Sequence, residues 1–294
     1  MNWHERFIAV DWGTTNRRAY AIAGTTVTDR FEDDQGMLAI EAGGFGESAA
    51  EIAHRLGSPN MLLAGMIGSN RGWADAGYAR VPAGISDVAQ AVHWISRDVV
   101  GIIPGVRLET SDRFDVMRGE EVQAFGAVAA GLVSPDALVC HPGTHTKWIK
   151  LEDGRIKDFA TAMTGEIFAL IANHSILAAQ ATSEVGAGEA FFAGVDMARL
   201  GRPLLDALFE VRSRGLAGVL KDRDAASMLS GILIGSDVVA HAMQCNEQIA
   251  LIGRPDLCAL YAGALDRLGR PALSIDGATA FVAGMIAIRD DLIC

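Results

Sequence analysis

Phe7-Ile8-Ala9-Val10-Asp11-Trp12-Gly13-Thr14-Thr15-Asn16-Arg17 reads as a short apolar strand that ends on an aspartate and breaks at a glycine-threonine turn. Residues 18–22 and 26–31 continue as two more short strands joined at Gly24. A degenerate copy returns at Ala137-Leu138-Val139-Cys140-His141-Pro142-Gly143-Thr144-His145-Thr146-Lys147. Glycine and threonine coincide at the same offset, and a basic residue, Arg17 or Lys147, follows four positions after each glycine. A strand, a Gly-Thr turn and a returning strand expose backbone N–H groups and hydroxyls at one tip, which suits phosphate. Two such tips could pinch a nucleoside triphosphate.

The plan around the turns repeats as well. After the first meander a helix is expected near 48–56 with Ser48 as N-cap, then strands at 61–64 and 99–103. A helix over 120–132 closes the first half, its apolar residues (Val122, Phe125, Val128, Leu132) at helical spacing. In the second half, 146–151 and 155–160 form a hairpin around Glu152-Asp153-Gly154, followed by a helix over 165–179. A mostly helical insertion covers 186–244; strand 249–252, helix 255–268, strand 272–275 and helix 277–288 complete the chain. Repetition of a whole supersecondary plan outweighs any single turn. The domain division expected is 1–117 and 118–294, with the last helix able to return to the first domain.

Composition narrows the classes. The chain has 294 residues, half of them hydrophobic and 21% charged, enough for two compact domains. A formal net charge of -11 argues against nucleic acid or an anionic membrane as partner. No apolar stretch reaches the roughly 18–20 residues of a membrane span, and no export signal is evident. The scattered cysteines (Cys140, Cys245, Cys258, Cys294) read as free thiols in a reducing cytoplasm. The apolar insertion could carry a homodimer face.

Duplicated β-β-β-α-β-α-β-α domains with Gly-Thr turns resemble the actin/Hsp70/hexokinase superfamily. That resemblance implies an α/β chain of two ribonuclease H-like domains, the actin-like ATPase fold, with ATP in an interdomain cleft. Gly65-Met66-Ile67-Gly68-Ser69-Asn70-Arg71-Gly72-Trp73, Met117-Arg118-Gly119-Glu120-Glu121 and His141-Pro142-Gly143-Thr144-His145-Thr146-Lys147-Trp148 further resemble the 2-dehydro-3-deoxygalactonokinase family. The likeness spans essentially the entire chain. It implies ATP- and Mg²⁺-dependent phosphorylation of 2-dehydro-3-deoxy-D-galactonate at its terminal hydroxyl, the related gluconate derivative being the alternative. An exopolyphosphatase-type hydrolase would want a basic channel, and a nucleotide-gated structural or sensor protein would need no acceptor.

Each motif has a chemical reading. Phosphoryl transfer needs charge neutralisation, in-line positioning and an oriented hydroxyl. Asp11 could hold Mg²⁺ directly or through water, while Gly13, Thr14 and Thr15 let the turn approach the phosphates; an ordinary hairpin would account for this turn alone. Gly143, Thr144 and His145 could donate to phosphate in the second turn, and Lys147 could add charge. The superfamily usually has an acidic residue where His141 or Pro142 stands, so the metal falls to the first turn. His141 and His145 lack a third ligand and do not read as a zinc site, and no Gly-Lys dipeptide, hence no Walker loop, occurs. The superfamily takes its general base from an acidic residue where Glu120 and Glu121 stand; both remain open. Arg18, Arg71 and Arg118 are the candidate forks for the substrate carboxylate. Asn70 and Trp73 could supply a polar contact and an apolar wall, and Glu166 could bind sugar hydroxyls or cap its helix. Gly253 suits close approach of the nucleotide, and Ser230, Gly231 and Gly235 offer either a seat for the nucleoside or helix packing.

Overall fold

The computed structural model describes residues 3–41 and 43–293, so the Cys294 thiol lies outside the described residues. The chain divides into two compact units, one of Met1–Asp136, Lys150–Phe159 and Asp276–Cys294, the other of Ala137–Ile149 and Ala160–Ile275.

In the first unit β1 (Phe7–Trp12), β2 (Arg17–Ala23) and β3 (Thr26–Asp33) form the meander, followed by α1 (Phe45–Leu56) and β4 (Met61–Ala64). Then come β5 (Tyr78–Arg80), α2 (Ile85–Gln90), β6 (His93–Ser96), β7 (Val100–Ile102), β8 (Gly105–Glu109), β9 (Phe114–Met117) and α3 (Glu120–Ala129). The main sheet runs β3-β2-β1-β4-β7-β6, with β1, β4 and β7 parallel at its centre. Strands buried on both faces read as unbroken apolar runs, as β1 and β4 do. The edge strand β3 carries exposed charge instead, which discourages pairing with another chain. A second sheet, β5-β8-β9, was not expected; its strands are three to five residues long, and the alternation of Val106 and Leu108 with Arg107 and Glu109 is too brief to stand out.

Ser48 does not cap α1, which starts three residues earlier behind Gly44. Its hydroxyl accepts instead from Arg17 Nη1 at 2.6 Å, because a buried guanidinium must find acceptors.

The second unit holds β10 (Ala137–His141), the start of β11 (Thr146–Glu152), the end of β12 (Arg155–Ala162), α4 (Thr164–His174), α5 (Glu189–Arg199), α6 (Leu204–Leu216) and α7 (Asp222–His241), the hairpin residues Lys150–Phe159 counting with the first unit. β13 (Gln248–Gly253), α8 (Pro255–Arg267) and β14 (Ala272–Asp276) follow. Its sheet runs β12-β11-β10-β13-β14, the order that β3-β2-β1-β4-β7 follows in the other sheet, where β6 is added at the edge. The β11–β12 turn has Asp153 at φ 52° and Gly154 at φ 72°, the positive pair that a two-residue hairpin needs. α4 stops at His174, short of the expected Ala179, because the Ser175 hydroxyl bonds back to the Ile171 carbonyl at 2.7 Å. No helix among the described residues is long and apolar enough to cross a membrane.

α9 (Gly277–Leu292) belongs to the first unit and packs on α3. Asp276 caps it, accepting from the Thr279 N–H at 2.8 Å. The helices meet backbone to backbone: a Cβ at Gly126 would collide with the Ala280 carbonyl, and one at Gly284 with that of Val122. Alanine gains ~1 kcal/mol over glycine inside a helix, yet overpacking costs about 1–3 kcal/mol, and backbone atoms cannot swing aside. Gly126→Ala and Gly284→Ala are therefore expected to lower the unfolding free energy in urea; stabilisation by either would disprove the close contact.

Candidate active site

The first turn is built from its carbonyls outward. Gly13 N–H donates to the Asn16 carbonyl at 3.0 Å, closing the turn. The chain after β3 then folds back: Met37, Leu38 and Gly36 donate their N–H groups to the carbonyls of Gly13, Thr14 and Thr15 at 2.9, 3.1 and 3.1 Å. With the carbonyls occupied, Thr14 and Thr15, both exposed, offer a ligand N–H groups and hydroxyls. Arg17 takes no part. It is buried against Trp12 and forks Asp33 through Nε at 3.1 Å and Nη2 at 2.7 Å.

Asp11, at the end of β1, is partly exposed. It faces Arg18 across the β1–β2 register and Arg18 faces Glu32 across β2–β3, giving a row of alternating charge on one face of the sheet. Arg18 Nη1 lies 3.4 Å from Asp11 and its Nε 3.1 Å from Glu32. Burial pushes the Asp11 carboxyl above its ordinary value; Arg18 pulls it down and Glu120 pushes it up again. Arg18, a candidate fork for the substrate carboxylate, is here the counter-ion of Asp11 and Glu32.

Glu120 stands close enough to influence Asp11 because two glycines let three chain segments meet. Gly65 (φ 94°) follows β4 and Gly119 (φ 106°) precedes α3. A Cβ on Gly65 would come within 2.9 Å of the Trp12 carbonyl, and one on Gly119 within 3.3 Å of Gly65 Cα. The two adjacent glutamates have different surroundings. Glu120 is partly exposed and accepts from the Arg118 N–H at 3.1 Å. Glu121 is wholly buried and accepts from the Gly119 N–H with both oxygens, at 2.9 and 2.7 Å. Burial, then the neighbouring Glu120, raise its carboxyl to about 8, against the pull of the Gly119 N–H.

The loop after β4 brings Asn70 and Arg71 to the surface, while Trp73 packs partly buried against the core that includes Trp12 and Phe45. The Arg118 side chain turns inward, 4% exposed; its Nη2 donates to the Gly77 carbonyl at 3.0 Å and it covers the Tyr78 ring. Its Nε and Nη1 are buried without a hydrogen-bond partner among the described residues. Of the three arginines, Arg71 alone is exposed and makes no ion pair among the described residues.

The second turn repeats the construction. Glu166 N–H donates to the Thr144 carbonyl at 2.9 Å, and a Cβ on Gly165 would collide with the Gly143 carbonyl, so the start of α4 seats on the turn. Thr144 and His145 are exposed. His145 Nε2 meets Glu166 at 2.5 Å, which gives that glutamate a partner other than the sugar hydroxyls expected for it. Lys147 is buried and donates to Thr161 at 2.8 Å, so its ammonium stands on β11 and not at the turn.

Beside Gly143 opens a cavity of about 720 Å³, walled by Phe168, Val185, Leu233, Ile234 and Leu260, with Ser230 and Tyr261 among its few polar groups. Gly253, at φ 154°, closes on Pro142 at the base of the turn. At Gly231 and Gly235 the side facing α5 is closely packed: a Cβ there would meet the Phe191 carbonyl and Val195 Cα, as helix packing requires. Glycines at 36 and 165 and the tyrosine at 261 were missed. The signal for the first two is positional, each standing three residues beyond the end of a third strand.

Among the described residues no group of three or more His, Cys, Asp or Glu gathers to hold a metal. Mg²⁺ needs less, since it takes one or two protein carboxylates and fills its octahedron with phosphate oxygens and water. Asp11 fits that requirement: a partly exposed carboxylate raised by burial, whose one side-chain partner lies at a long 3.4 Å.

Residues 11–288 match the family described as 2-keto-3-deoxy-galactonokinase. The chain is 35% identical over 287 residues to 2-dehydro-3-deoxygalactonokinase of Escherichia coli (strain K12), covering 96% of this chain and 97% of the relative. A solved structure from Sinorhizobium meliloti, described as a 2-dehydro-3-deoxygalactonokinase protein, is similar at TM-score 0.89 and 32% identity, over 96% of this chain and 97% of that one. At 12% identity the activator of 2-hydroxyisocaproyl-CoA dehydratase from Clostridium difficile, solved with bound ADPNP, shares the fold at TM-score 0.52, over 98% and 96% of the two chains. The α/β actin-like ATPase fold expected from the repeated plan is the one found.

Glu121 has a consequence for stability. Its folded carboxyl keeps a proton up to about pH 8, whereas the unfolded group releases it near 4.5. The folded chain binds the extra proton in that window, so this group's contribution declines as pH rises from about 4.5 to about 8. Glu121→Gln removes the decline. Its stability relative to wild type in urea is expected to rise with pH between pH 5 and pH 7.5, by on the order of 1 kcal/mol per unit. A difference independent of pH would show that Glu121 is ionised in the fold.

Proposed function

The chain belongs to the 2-keto-3-deoxy-galactonokinase family, and on that premise we propose that it transfers the γ-phosphoryl group of ATP to the terminal hydroxyl of 2-dehydro-3-deoxy-D-galactonate in galactonate catabolism. The products are the 6-phosphate and ADP. We assign the sugar acid to the first unit and the nucleotide to the second, and place the enzyme in the cytoplasm, where its free thiols Cys140, Cys245 and Cys258 stay reduced.

The observation that carries the reading is the contrast between the adjacent glutamates. A general base must touch the proton it takes. Glu120 is accessible and lies in the field of Asp11, whereas Glu121 is sealed and protonated at neutral pH. Glu120 therefore accepts the proton of the attacking hydroxyl as its oxygen bonds to the γ-phosphorus and the bond to the β-phosphate oxygen breaks. Glu121 fixes the Gly119 turn from which Glu120 projects. Asp11 would hold Mg²⁺, which supplies charge neutralisation on the transferring group when bound. In the first unit Thr14 and Thr15 offer donors to phosphate oxygens; in the second unit Thr144 and His145 do so, and the apolar cavity beside Gly143 takes the nucleoside. Arg71 forks the sugar-acid carboxylate, with Asn70 beside it.

Two measurements test these roles. Glu120→Gln is expected to reduce kcat by about 10²–10⁴-fold with the KM for ATP little changed, and to fall well below Glu121→Gln; equal rates in the two variants would refute the assignment. Arg71→Ala should raise the KM for 2-dehydro-3-deoxy-D-galactonate by roughly 10–100-fold, the worth of a charge-assisted bond, and leave that for ATP alone. A KM unmoved by the loss of Arg71 means that another group binds the carboxylate.

A further inference from the structure

α7 carries a charge in its most apolar stretch. Asp237 follows Ile232, Leu233 and Ile234 and precedes Val238, all buried, and its own side chain is 2% exposed. Its oxygens are fully engaged. Oδ1 accepts from Trp148 Nε1 at 2.8 Å; Oδ2 accepts from the Thr164 hydroxyl at 2.8 Å and from the Tyr261 hydroxyl at 2.5 Å. The Tyr261 oxygen also lies 2.9 Å from the Thr146 hydroxyl. His241, one turn along α7, stacks on Trp148 and stands 3.7 Å from Oδ1. One carboxylate thus ties β11, α4 and α8 to α7.

Burying a carboxylate is costly before its hydrogen bonds are counted, and an apolar side chain of similar size commonly holds a core as well or better. Stability alone does not account for Asp237. The location of its donors does. Thr164 and Tyr261 both line the cavity beside Gly143, although Asp237 itself does not. Thr164 is also the first residue of α4, whose Gly165 and Glu166 seat on the carbonyls of the second turn. Thr146 is the first residue of β11 after that turn. The carboxylate is one hydrogen bond away from the cavity wall on two sides, and two from Thr146 beside the phosphate turn, by way of Tyr261.

We propose that Asp237 is a positioning residue for the nucleotide: through Thr164 and Tyr261 it sets α4 and α8 in the register that shapes the cavity and holds the second turn. The inference rests on the reading of this cavity as the nucleoside site. An amide at position 237 keeps the volume but removes the charge and one acceptor, so the Thr164 and Tyr261 hydroxyls must turn from donors into acceptors towards its NH2.

The test separates a positioning role from a merely structural one by the identity of the substrate affected. Asp237→Asn is expected to raise the KM for ATP at least tenfold, with the KM for the sugar acid within twofold of wild type. Tyr261→Phe, which keeps the ring and drops one bond, should raise the KM for ATP about threefold, and Thr164→Val similarly; these two carry the test if Asp237→Asn does not fold. A KM for ATP within twofold of wild type in the folded variants overturns the proposal, as does an equal rise for both substrates. Hydrogen exchange with a non-hydrolysable ATP analogue checks the premise. Protection of 184–187 and 256–261 identifies the cavity as the nucleotide site. Protection with unchanged KM removes the role of Asp237 alone, and no protection there removes the site and the proposal together.

Discussion

A glycine-threonine turn can serve a phosphate only if its carbonyl oxygens, which would repel it, are engaged elsewhere. The first turn meets that constraint at Gly13, Thr14 and Thr15, and the second at Thr144. The segment after the third strand returns and donates backbone N–H groups to the turn, and a glycine, Gly36 or Gly165, lets it come close enough. The first turn then turns N–H groups and hydroxyls, and not these carbonyls, towards a ligand. Backbone arranged in this way is already fixed before a ligand arrives, so little ordering is lost on binding. The meander, the returning segment and the helix behind it follow from this one requirement, and it explains why the plan repeats although the residues largely do not.

Electrostatics around the first turn follow from the sheet. Pleating places Asp11, Arg18 and Glu32 on one face in adjacent strands, so the aspartate acquires a counter-ion from its own hairpin. The protein as a whole carries a net charge of -11, yet an acidic surface does not bar an anionic substrate when a few cations are placed locally. Among the described residues Arg71, exposed on its surface loop, makes no ion pair. The fully buried groups, Glu121 and Asp237, do different work. Each collects donors from the backbone or from several elements and thereby fixes a segment that a ligand would touch.

Much of this was legible in the sequence, and the limits are physical. Strand runs such as 7–10 and 61–64 announce themselves because burial on both faces demands unbroken apolar residues. The plan of the fold follows from their order and repetition. Which of two adjacent glutamates is sealed cannot be read locally, because burial is decided by Gly65 and Gly119 bringing distant segments together. The same holds for the basic residues at the shared offset. Arg17 and Lys147 repeat in the sequence, but both are buried partners of their own units. Arg118 looked like a substrate fork from its motif, and the packing turns it towards Gly77 and Tyr78. Periodicity also has little to say about the strands of β5-β8-β9, which are too short for alternation to rise above noise.

The position of α9 bears on the birth of the molecule. This helix packs on α3 through Gly126 and Gly284, but the ribosome makes it only after the whole of the second unit. The first unit, begun at the amino terminus, must wait with one face of α3 uncovered while some 140 residues of other chain emerge, about 7–30 seconds at ordinary rates of synthesis. The apolar residues of α9 then act as a closing signal: only a chain translated through both units can seal the first. Nascent fragments that stop early keep an open apolar face, which marks them for chaperones and proteases.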